Sequence, residues 1–172
     1  GNPNVDIPRK YAGKLDVGTA VGRGLLTVSY DLGLKEPYSG QVEIQTGEVA
    51  EDLAYYFTVS EQLPSAVGLG VMVDTDSSVK HAGGFIVQLL PDAPEDVIEL
   101  LEKKLANLEP VTTMMEQGMT PEEMLSHIFE GVDIEFTERH DVKFYCDCSK
   151  EKVKRALAAI SDKDLQDIVN DD

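Results

Sequence analysis

The stretch VGLGVMVDTDSSVKHAGGFIVQLL, residues 67–90, decides the fold of this chain. Its two ends, 67–73 and 79–90, are rich in Val, Ile, Leu and Phe and therefore predict strands. The polar residues 74–78 between them predict the turn that joins these strands. Two adjacent glycines, Gly83 and Gly84, interrupt the second strand and indicate a bulge or a close approach of another backbone.

The sequence before and after this stretch predicts two helices and two further strands. Residues 48–62 have apolar side chains at helical spacing and acidic residues in the first turn, and Pro64 ends the pattern. Residues 94–108 predict the clearest helix, because one apolar stripe runs along them. Residues 25–30 and 39–45 predict strands.

The sequence changes in character towards its C-terminal end. Residues 111–118 and 121–131 predict short helices, and residues 134–136 and 142–145 predict small strands. Two more short helices follow, each preceded by a serine that can cap it, at Ser149 and Ser161. Residues 1–24, which are rich in Gly, Pro and charge, predict a loop.

The chain as a whole therefore predicts an α+β fold in three pieces. Residues 1–108 form a sheet-and-helix body, residues 109–131 a helical linker, and residues 132–172 a small module that carries both cysteines. The helices of the linker are short and Gly118 interrupts them, so we expect a metastable linker that is the least stable ordered segment.

The composition disfavours several classes of function. Lys and Arg number 15 against 32 Asp and Glu, a net charge of −17. Nucleic acids and anionic membranes attract positive surfaces, so neither is an expected partner. No apolar run approaches the roughly 20 residues of a membrane span, and the polar start of the chain does not resemble a signal peptide. Two cysteines exclude a disulfide framework and fit the reducing cytoplasm, which is the expected location.

The sharpest chemical feature is the pair Cys146 and Cys148, spaced as C-x-C. Thiolates are metal ligands and nucleophiles, and both the following helix and an excess of basic neighbours favour the thiolate. The pair is either half of a tetrahedral zinc site or two ordinary cysteines near a strand end. His140 is a candidate third ligand, although an isolated histidine is more often a surface residue. The chain has no second cysteine pair, so it cannot complete a site of four cysteines by itself.

Four of the five methionines lie in the predicted linker, at positions 114, 115, 119 and 124. Methionine is flexible and polarizable, and it adapts to varied apolar partners. Met114, Met115, Met119 and Met124 are therefore candidates for binding unfolded client proteins. The alternative is that they fill gaps in a small core.

Several stretches of the chain resemble the redox-regulated holdase chaperones called the heat shock protein 33 family. They are GKLDV at 13–17, DLGLKEPYSGQV at 31–42, YYF at 55–57 with SEQ at 60–62 and PS at 64–65, AGGFIVQLLP at 82–91, GMTPEE at 118–123, and CDCSKE at 146–151. Members of that family begin with a further stretch that completes the N-terminal body, and they carry a C-x-x-C pair beyond the position of Asp172. The resemblance therefore implies a chain truncated at both ends, with a partial body and a partial module.

The resemblance implies an ATP-independent holdase that oxidation activates. Cys146 and Cys148 would be two of four zinc ligands in the reduced protein, with zinc weak or absent in the truncated chain. Oxidants would attack the thiolates, zinc would leave, neighbouring cysteines would pair as disulfides, and the module and linker would unfold. The exposed surface would then capture unfolding client proteins. A homodimer on activation is a further expected partner, because strand edges left unpaired in the partial body could be covered by a second chain.

Two other functions compete with this interpretation. One is a constitutive zinc-dependent protein-binding module without a redox role. The other is a thiol oxidoreductase that uses Cys146 and Cys148. The enzyme ranks last, because C-x-C differs from the C-x-x-C spacing of thioredoxin-like motifs and no βαβ unit precedes the pair.

Overall fold

The computed structural model describes residues 9–11, 14–31, 33, 35, 37–76, 78–143 and 145–170. The chain divides into two compact units, residues 1–134 and residues 135–172. Each unit is described by itself below. A linker at 109–131 that is distinct from the body in stability stays a prediction.

The strands of the first unit pair antiparallel with their neighbours along the chain. The pairs are β1 (Arg9–Tyr11) with β2 (Lys14–Leu15), β3 (Leu25–Tyr30) with β4 (Tyr38–Glu43), and β5 (Ser65–Val73) with β6 (Val79–Gln88). Strands β5 and β6 form a hairpin over residues 65–88. Each pair is a separate sheet, so every strand in the described part of the chain has one edge without a strand partner. The predicted unpaired edges are therefore present.

Seven helices lie within the described residues. They are α1 (Val17–Val21), α2 (Val49–Val59), α3 (Glu95–Ala106), α4 (Val111–Glu116), α5 (Pro121–Ile128), α6 (Lys150–Leu157) and α7 (Asp162–Asn170). Together with the antiparallel sheets they confirm the predicted α+β class. Over these same residues, no helix combines the length and apolar character that crossing a membrane requires.

Two sequence predictions about local structure were wrong. Residues 9–24 were predicted as loop, yet β1, β2 and α1 lie there. The Asp16 carboxylate starts α1 by accepting a hydrogen bond from the Thr19 amide at 3.3 Å, a capping signal that the Gly-rich composition obscured. Residues 1–8, 12 and 13 lie outside the described residues.

The small strands predicted at 134–136 and 142–145 are also not formed by the described residues there, with Phe144 outside the description. Val142 is 92% exposed and Tyr145 is 72% exposed. A strand needs a paired neighbour and a face to bury, and β-propensity alone does not supply them.

Helix α2 is anchored to the end of β4 by a buried carboxylate. Asp52 accepts hydrogen bonds from the backbone amides of Gln45 at 2.8 Å, Thr46 at 3.1 Å and Gly47 at 2.9 Å. One turn further along α2, the ring of Tyr56 is fully buried and its hydroxyl donates to Glu61 at 2.5 Å. The bonds of Asp52 fix α2 against the connection that leads into it, and the bond of Tyr56 fixes it against the segment that follows.

The largest hydrophobic cluster of the first unit lies between the β5–β6 hairpin, α4 and α5. Its members are mostly aliphatic and sulfur-bearing: Val111, Met114, Met115, Met124 and Ile128, with Phe85, Leu105, Leu108, Met119 and Phe129 packed against them. We call this set the methionine cluster. It holds α4 on the hairpin and joins α5 to α4.

Glycines on one face of the hairpin let α4 come close. A Cβ atom built on Gly70 would lie 2.9 Å from Cγ2 of Thr112 and 3.0 Å from its backbone nitrogen. On the same face, one built on Gly83 would lie 2.9 Å from Sδ of Met115. On the opposite face, one built on Gly84 would lie 2.4 Å from the Gly68 carbonyl oxygen of the paired strand β5. The close approach predicted from the adjacent glycines is therefore confirmed.

Candidate functional site

The two cysteines lie in the second unit, in an irregular segment directly before α6. Both thiols are free and exposed. Ser149 caps α6 as the sequence predicted, because its hydroxyl accepts a hydrogen bond from the Lys152 amide at 3.1 Å. A shallow recess of about 410 Å³ beside Cys148 is lined also by Ser149, Lys150, Val153 and Lys154. A small oxidant can therefore reach the sulfur from solvent.

Hydrogen bonds from its neighbour lower the pKa of Cys146. The larger cause is the backbone amide of Cys148 and the smaller is the Cys148 thiol, while burial opposes them weakly. The sequence predicted a lowered thiol pKa from the helix and from basic neighbours, so the direction is confirmed for Cys146 but the cause is more local. A thiol with a lowered pKa is more often the thiolate, the form that binds metals and reacts with peroxides.

Two of the basic residues near the thiols contact groups other than the sulfur atoms. The Lys152 ammonium contacts the carboxylate of Asp147, the residue between the two cysteines. The Lys143 ammonium lies 5.6 Å from the centroid of the Tyr145 ring. Their charge remains close to the thiols, but these contacts are not made with sulfur.

The two thiols are donors of the type that zinc binds. Zinc prefers thiolate sulfur and takes four ligands in structural sites, so the donor type fits and the number provided is two. Across the residues that the structure describes, no group of three or more His, Cys, Asp or Glu is arranged to hold a metal ion. His140, the candidate third ligand, is largely exposed and pairs with Glu138 at 2.9 Å.

The unit that carries the thiols has very little core. Among its described residues, 135–143 and 145–170, none is buried, and Ile160 and Leu165 are the half-buried ones. Val153 and Leu157, which the sequence predicted on one apolar stripe of α6, are 55% and 40% exposed. A module of this size needs a further source of stability, such as a metal or a disulfide.

The four methionine candidates lie in the first unit, within the methionine cluster. Met114 is fully buried, Met115 is 9% exposed, Met124 is 8% exposed and Met119 is half-buried. In this arrangement they fill the space between the helices and the hairpin. They meet a client protein only if α4 and α5 leave the hairpin, and that role stays a prediction.

Polar contacts at the rim also hold α4 and α5 in place. Lys80 of β6 pairs with Glu116 of α4 at 3.3 Å, and His127 of α5 pairs with Glu109 at 3.3 Å. The Lys104 ammonium of α3 donates to the Glu130 carbonyl at 2.5 Å. Sequence reasoning missed these contacts, because their partners are 18 to 36 residues apart and no local pattern marks them.

The other face of the hairpin presents apolar side chains to solvent. Strand pairing places Leu69 opposite Gly84 and Val71 opposite Ala82, and these pairs alternate with the glycine pairs that face α4. Five large residues on the hairpin are exposed by 44% to 61%: Leu69, Val71, Val73, Val79 and Ile86. Contiguous exposed apolar side chains of this kind mark surfaces that interact with proteins.

Comparisons with known proteins all find members of one family. The family model described as Hsp33 protein matches residues 1–172. A 33 kDa chaperonin of Agathobacter rectalis is 57% identical over 170 residues, which are 99% of this chain and 59% of that protein. A 33 kDa chaperonin of Clostridium botulinum is 56% identical over 99% of this chain and 58% of its own length.

A solved structure gives the same result for the fold. The crystal structure of the 33 kDa chaperonin, a heat shock protein 33 homolog, of Thermotoga maritima superposes with a TM-score of 0.81 at 46% identity. The match covers 96% of this chain and 57% of that one. The chain thus spans a little under three fifths of the length of each of these relatives.

Proposed function

Because the chain belongs to the Hsp33 protein family, we propose that it is part of an oxidation-activated, ATP-independent holdase that binds unfolding proteins. The observation that carries the proposal is the pair of exposed, free thiols in a unit with no buried residue among those described. Such a unit depends for its fold on what its thiols are bonded to. The chemistry of sulfur therefore controls whether this part of the chain is ordered.

In the reduced protein, Cys146 and Cys148 would hold zinc together with two further ligands. Zinc, when bound, contributes folding free energy to a small module, on the order of 10 kcal/mol for zinc-finger peptides. The lowered pKa of Cys146 favours the thiolate, the form that a metal requires. In this chain alone, two thiols bind zinc weakly or not at all.

Peroxide is the oxidant of the proposed switch. The two thiolates lose two electrons and form one S–S bond, the O–O bond of the peroxide breaks, and both oxygens leave as water after taking up protons. A disulfide sulfur is a poor metal ligand, so the module loses the folding free energy that zinc supplied. Oxidation thereby unfolds the module and, through the chain connection, destabilises the helices that precede it.

Release of α4 and α5 then creates the client-binding surface. It uncovers the glycine face of the β5–β6 hairpin and the side chains of Met114, Met115, Met119 and Met124. Unbranched methionine side chains adapt to many apolar partners, which suits a protein that binds diverse unfolded chains. The role is non-enzymatic, and its partners are unfolding proteins rather than nucleic acids or membranes. The protein acts in the cytoplasm, whose reducing conditions keep the thiols reduced until an oxidant arrives.

The proposal is tested on the intact protein with Cys146→Ser and Cys148→Ser combined. We expect the reduced parent to bind stoichiometric zinc and to suppress light scattering of an unfolding client only after peroxide treatment. The double variant should bind less zinc and lack the oxidation response. Asp147→Asn is the matched control, because it changes the residue between the thiols and leaves both sulfurs.

Other outcomes identify the competing functions. Equal suppression before and after oxidation would indicate a constitutive binding module. Turnover of a disulfide substrate would indicate a thiol oxidoreductase. Equal zinc in the parent and the double variant would remove these two cysteines from the site.

A further inference from the structure

The methionine cluster contains four oxidisable thioethers that the thiol switch does not use. We propose that it is a second oxidation site, independent of the cysteines, at which sulfoxide formation on Met115 and Met119 releases α4 from the hairpin together with α5, which shares the cluster with it. The release itself stands on the geometry of the cluster. Its consequence for client binding rests on the function proposed above.

Met115 has little room for an added oxygen on the side that faces the hairpin. Its sulfur packs against the hairpin backbone, at a place where even a Cβ atom on Gly83 would lie only 2.9 Å away. A sulfoxide oxygen is also a strong hydrogen-bond acceptor, and burying it without a donor is costly. The side chains that make up the cluster are all apolar, so they offer no donor. Oxidised Met115 therefore fits poorly on the hairpin.

Met119 is the entry point for the oxidant. It is half-buried at the edge of the cluster, between α4 and α5, whereas Met114 is fully buried. Helix α4 has six residues and α5 has eight, so both depend on packing for their stability and open locally more readily than long helices. A polar sulfoxide at Met119 weakens that packing and exposes Met115 next.

The chemistry needs a two-electron oxidant that donates oxygen, such as hydrogen peroxide or hypochlorous acid. With peroxide, the sulfur lone pair attacks one oxygen, the O–O bond breaks, an S–O bond forms and the other oxygen leaves as water. Sulfur is oxidised by two electrons and peroxide is reduced by two. Methionine sulfoxide reductases reverse the reaction, so the modification is a switch and not only damage.

The test uses the chain with Cys146→Ser and Cys148→Ser, in which no thiol remains. After peroxide treatment, peptide mass spectrometry locates the added oxygen and hydrogen exchange reports the opening of residues 111–128. We expect about tenfold faster amide exchange in α4 and α5 after oxidation. Methionine sulfoxide reductases of both stereospecificities should restore the slow exchange.

Leucine variants identify the sulfurs responsible. Met115→Leu with Met119→Leu keeps the volume and removes both thioethers, so exchange should stay slow under peroxide. Met119→Leu alone is the milder second variant if the double one folds poorly, and it should delay the opening. Met72→Leu is the matched control, because Met72 is half-buried in β5 and is not among the cluster residues.

The outcomes separate this inference from the proposed function. Sulfoxide at Met115 and Met119 with unchanged exchange would overturn the inference, as would oxidation of Met72 at doses that spare both. Faster exchange that is reversed by the reductases but brings no suppression of client aggregation would support the inference and count against the holdase function.

Discussion

The burial of Tyr56 makes the stability of the folded protein depend on pH. Burial raises the pKa of its hydroxyl to about 12, and the hydrogen bond to Glu61 adds to the effect. In an unfolded chain a tyrosine ionises near pH 10. Ionisation therefore favours the unfolded state between these two values.

We predict an alkaline loss of stability that Tyr56 causes. The contribution of its neutral hydroxyl is complete below about pH 10 and falls as the pH rises towards about 12, because the unfolded chain gives up this proton first. Urea unfolding of the parent and of Tyr56→Phe between pH 8 and 12 measures it. Phe at this position should cost on the order of 1 kcal/mol at neutral pH through the lost hydrogen bond, and it should flatten the alkaline decline.

Tyr55→Phe is the control for this prediction, since Tyr55 is the neighbouring residue and is 37% exposed. An equal alkaline decline in the parent and in Tyr56→Phe would show that another group is responsible.

The same residues show how far the sequence could predict the core. Tyr56 belongs to the predicted apolar stripe of its helix, and its complete burial confirms that position. Asp52 was predicted only to suit the positive end of the helix. Its three bonds to the amides of residues 45–47 depend on how the preceding connection returns to α2, which is tertiary information that spacing along the helix does not contain.

At the scale of elements, α4 packs closely on the hairpin because glycines lie at the contact. We predict that Gly70→Ala pushes α4 away, because the new methyl group would lie 3.0 Å from the backbone nitrogen of Thr112, which cannot rotate aside. The cost should be about 1–3 kcal/mol of unfolding free energy, as for other overpacked sites. Hydrogen exchange of α4 should accelerate, and client binding without oxidant should rise.

Gly24→Ala is the matched control, because its new methyl group would meet Ile44 at an ordinary contact distance of 3.5 Å. Unchanged exchange of α4 in Gly70→Ala would mean that the close approach does not hold the helix in place.

Elements with a strong period of apolar side chains could be predicted from the sequence. Elements that need a neighbouring strand could not. The helix predicted at 94–108 is α3, Glu95–Ala106, because its apolar stripe and the proline at its start are local signals. The linker helices also begin where predicted, and the T-x-x-E pattern of Thr120 and Glu123 is a local signal that forms a capping box at the start of α5. By contrast, residues 134–136 have β-propensity but no neighbouring strand. For the candidate site, the sequence singled out the cysteines and methionines as candidates but could not show that Met115 packs on Gly83.

At the scale of the whole molecule, the net negative charge and the unpaired strand edges have opposite effects on self-association. Every strand in the described part of the chain has an edge without a strand partner, which is a template for pairing with another chain. The net charge of −17 makes copies of the chain repel one another. The balance between the two depends on ionic strength.

We predict that added salt promotes self-association. Screening at 0.5 M salt shortens the range of repulsion well below the roughly 10 Å found at 0.1 M, while strand pairing and apolar contact are little affected. Sedimentation at 20 mM and 500 mM salt should show a larger dimer fraction at the higher concentration. Val71→Lys, on the exposed apolar face of the hairpin, should oppose it.

The control is Val169→Lys in the second unit, which adds the same charge at a site that is 75% exposed. A monomer at both salt concentrations, or equal effects of the two lysines, would contradict association through the hairpin.

The hairpin, α3, α4 and α5 follow one another along the chain. This order determines how fast released helices can dock again. Every residue of the methionine cluster lies between positions 85 and 129, so α4 and α5 dock on chain that immediately precedes them. Short-range contacts of this kind form fast, on the order of microseconds to milliseconds, whereas exchange of a disulfide takes on the order of seconds to hours. Once the sulfur atoms are restored, the helices can close at once. In the proposed switch, the rate of reduction and not the rate of refolding therefore sets how long the helices stay released, and the supply of reductant would control it.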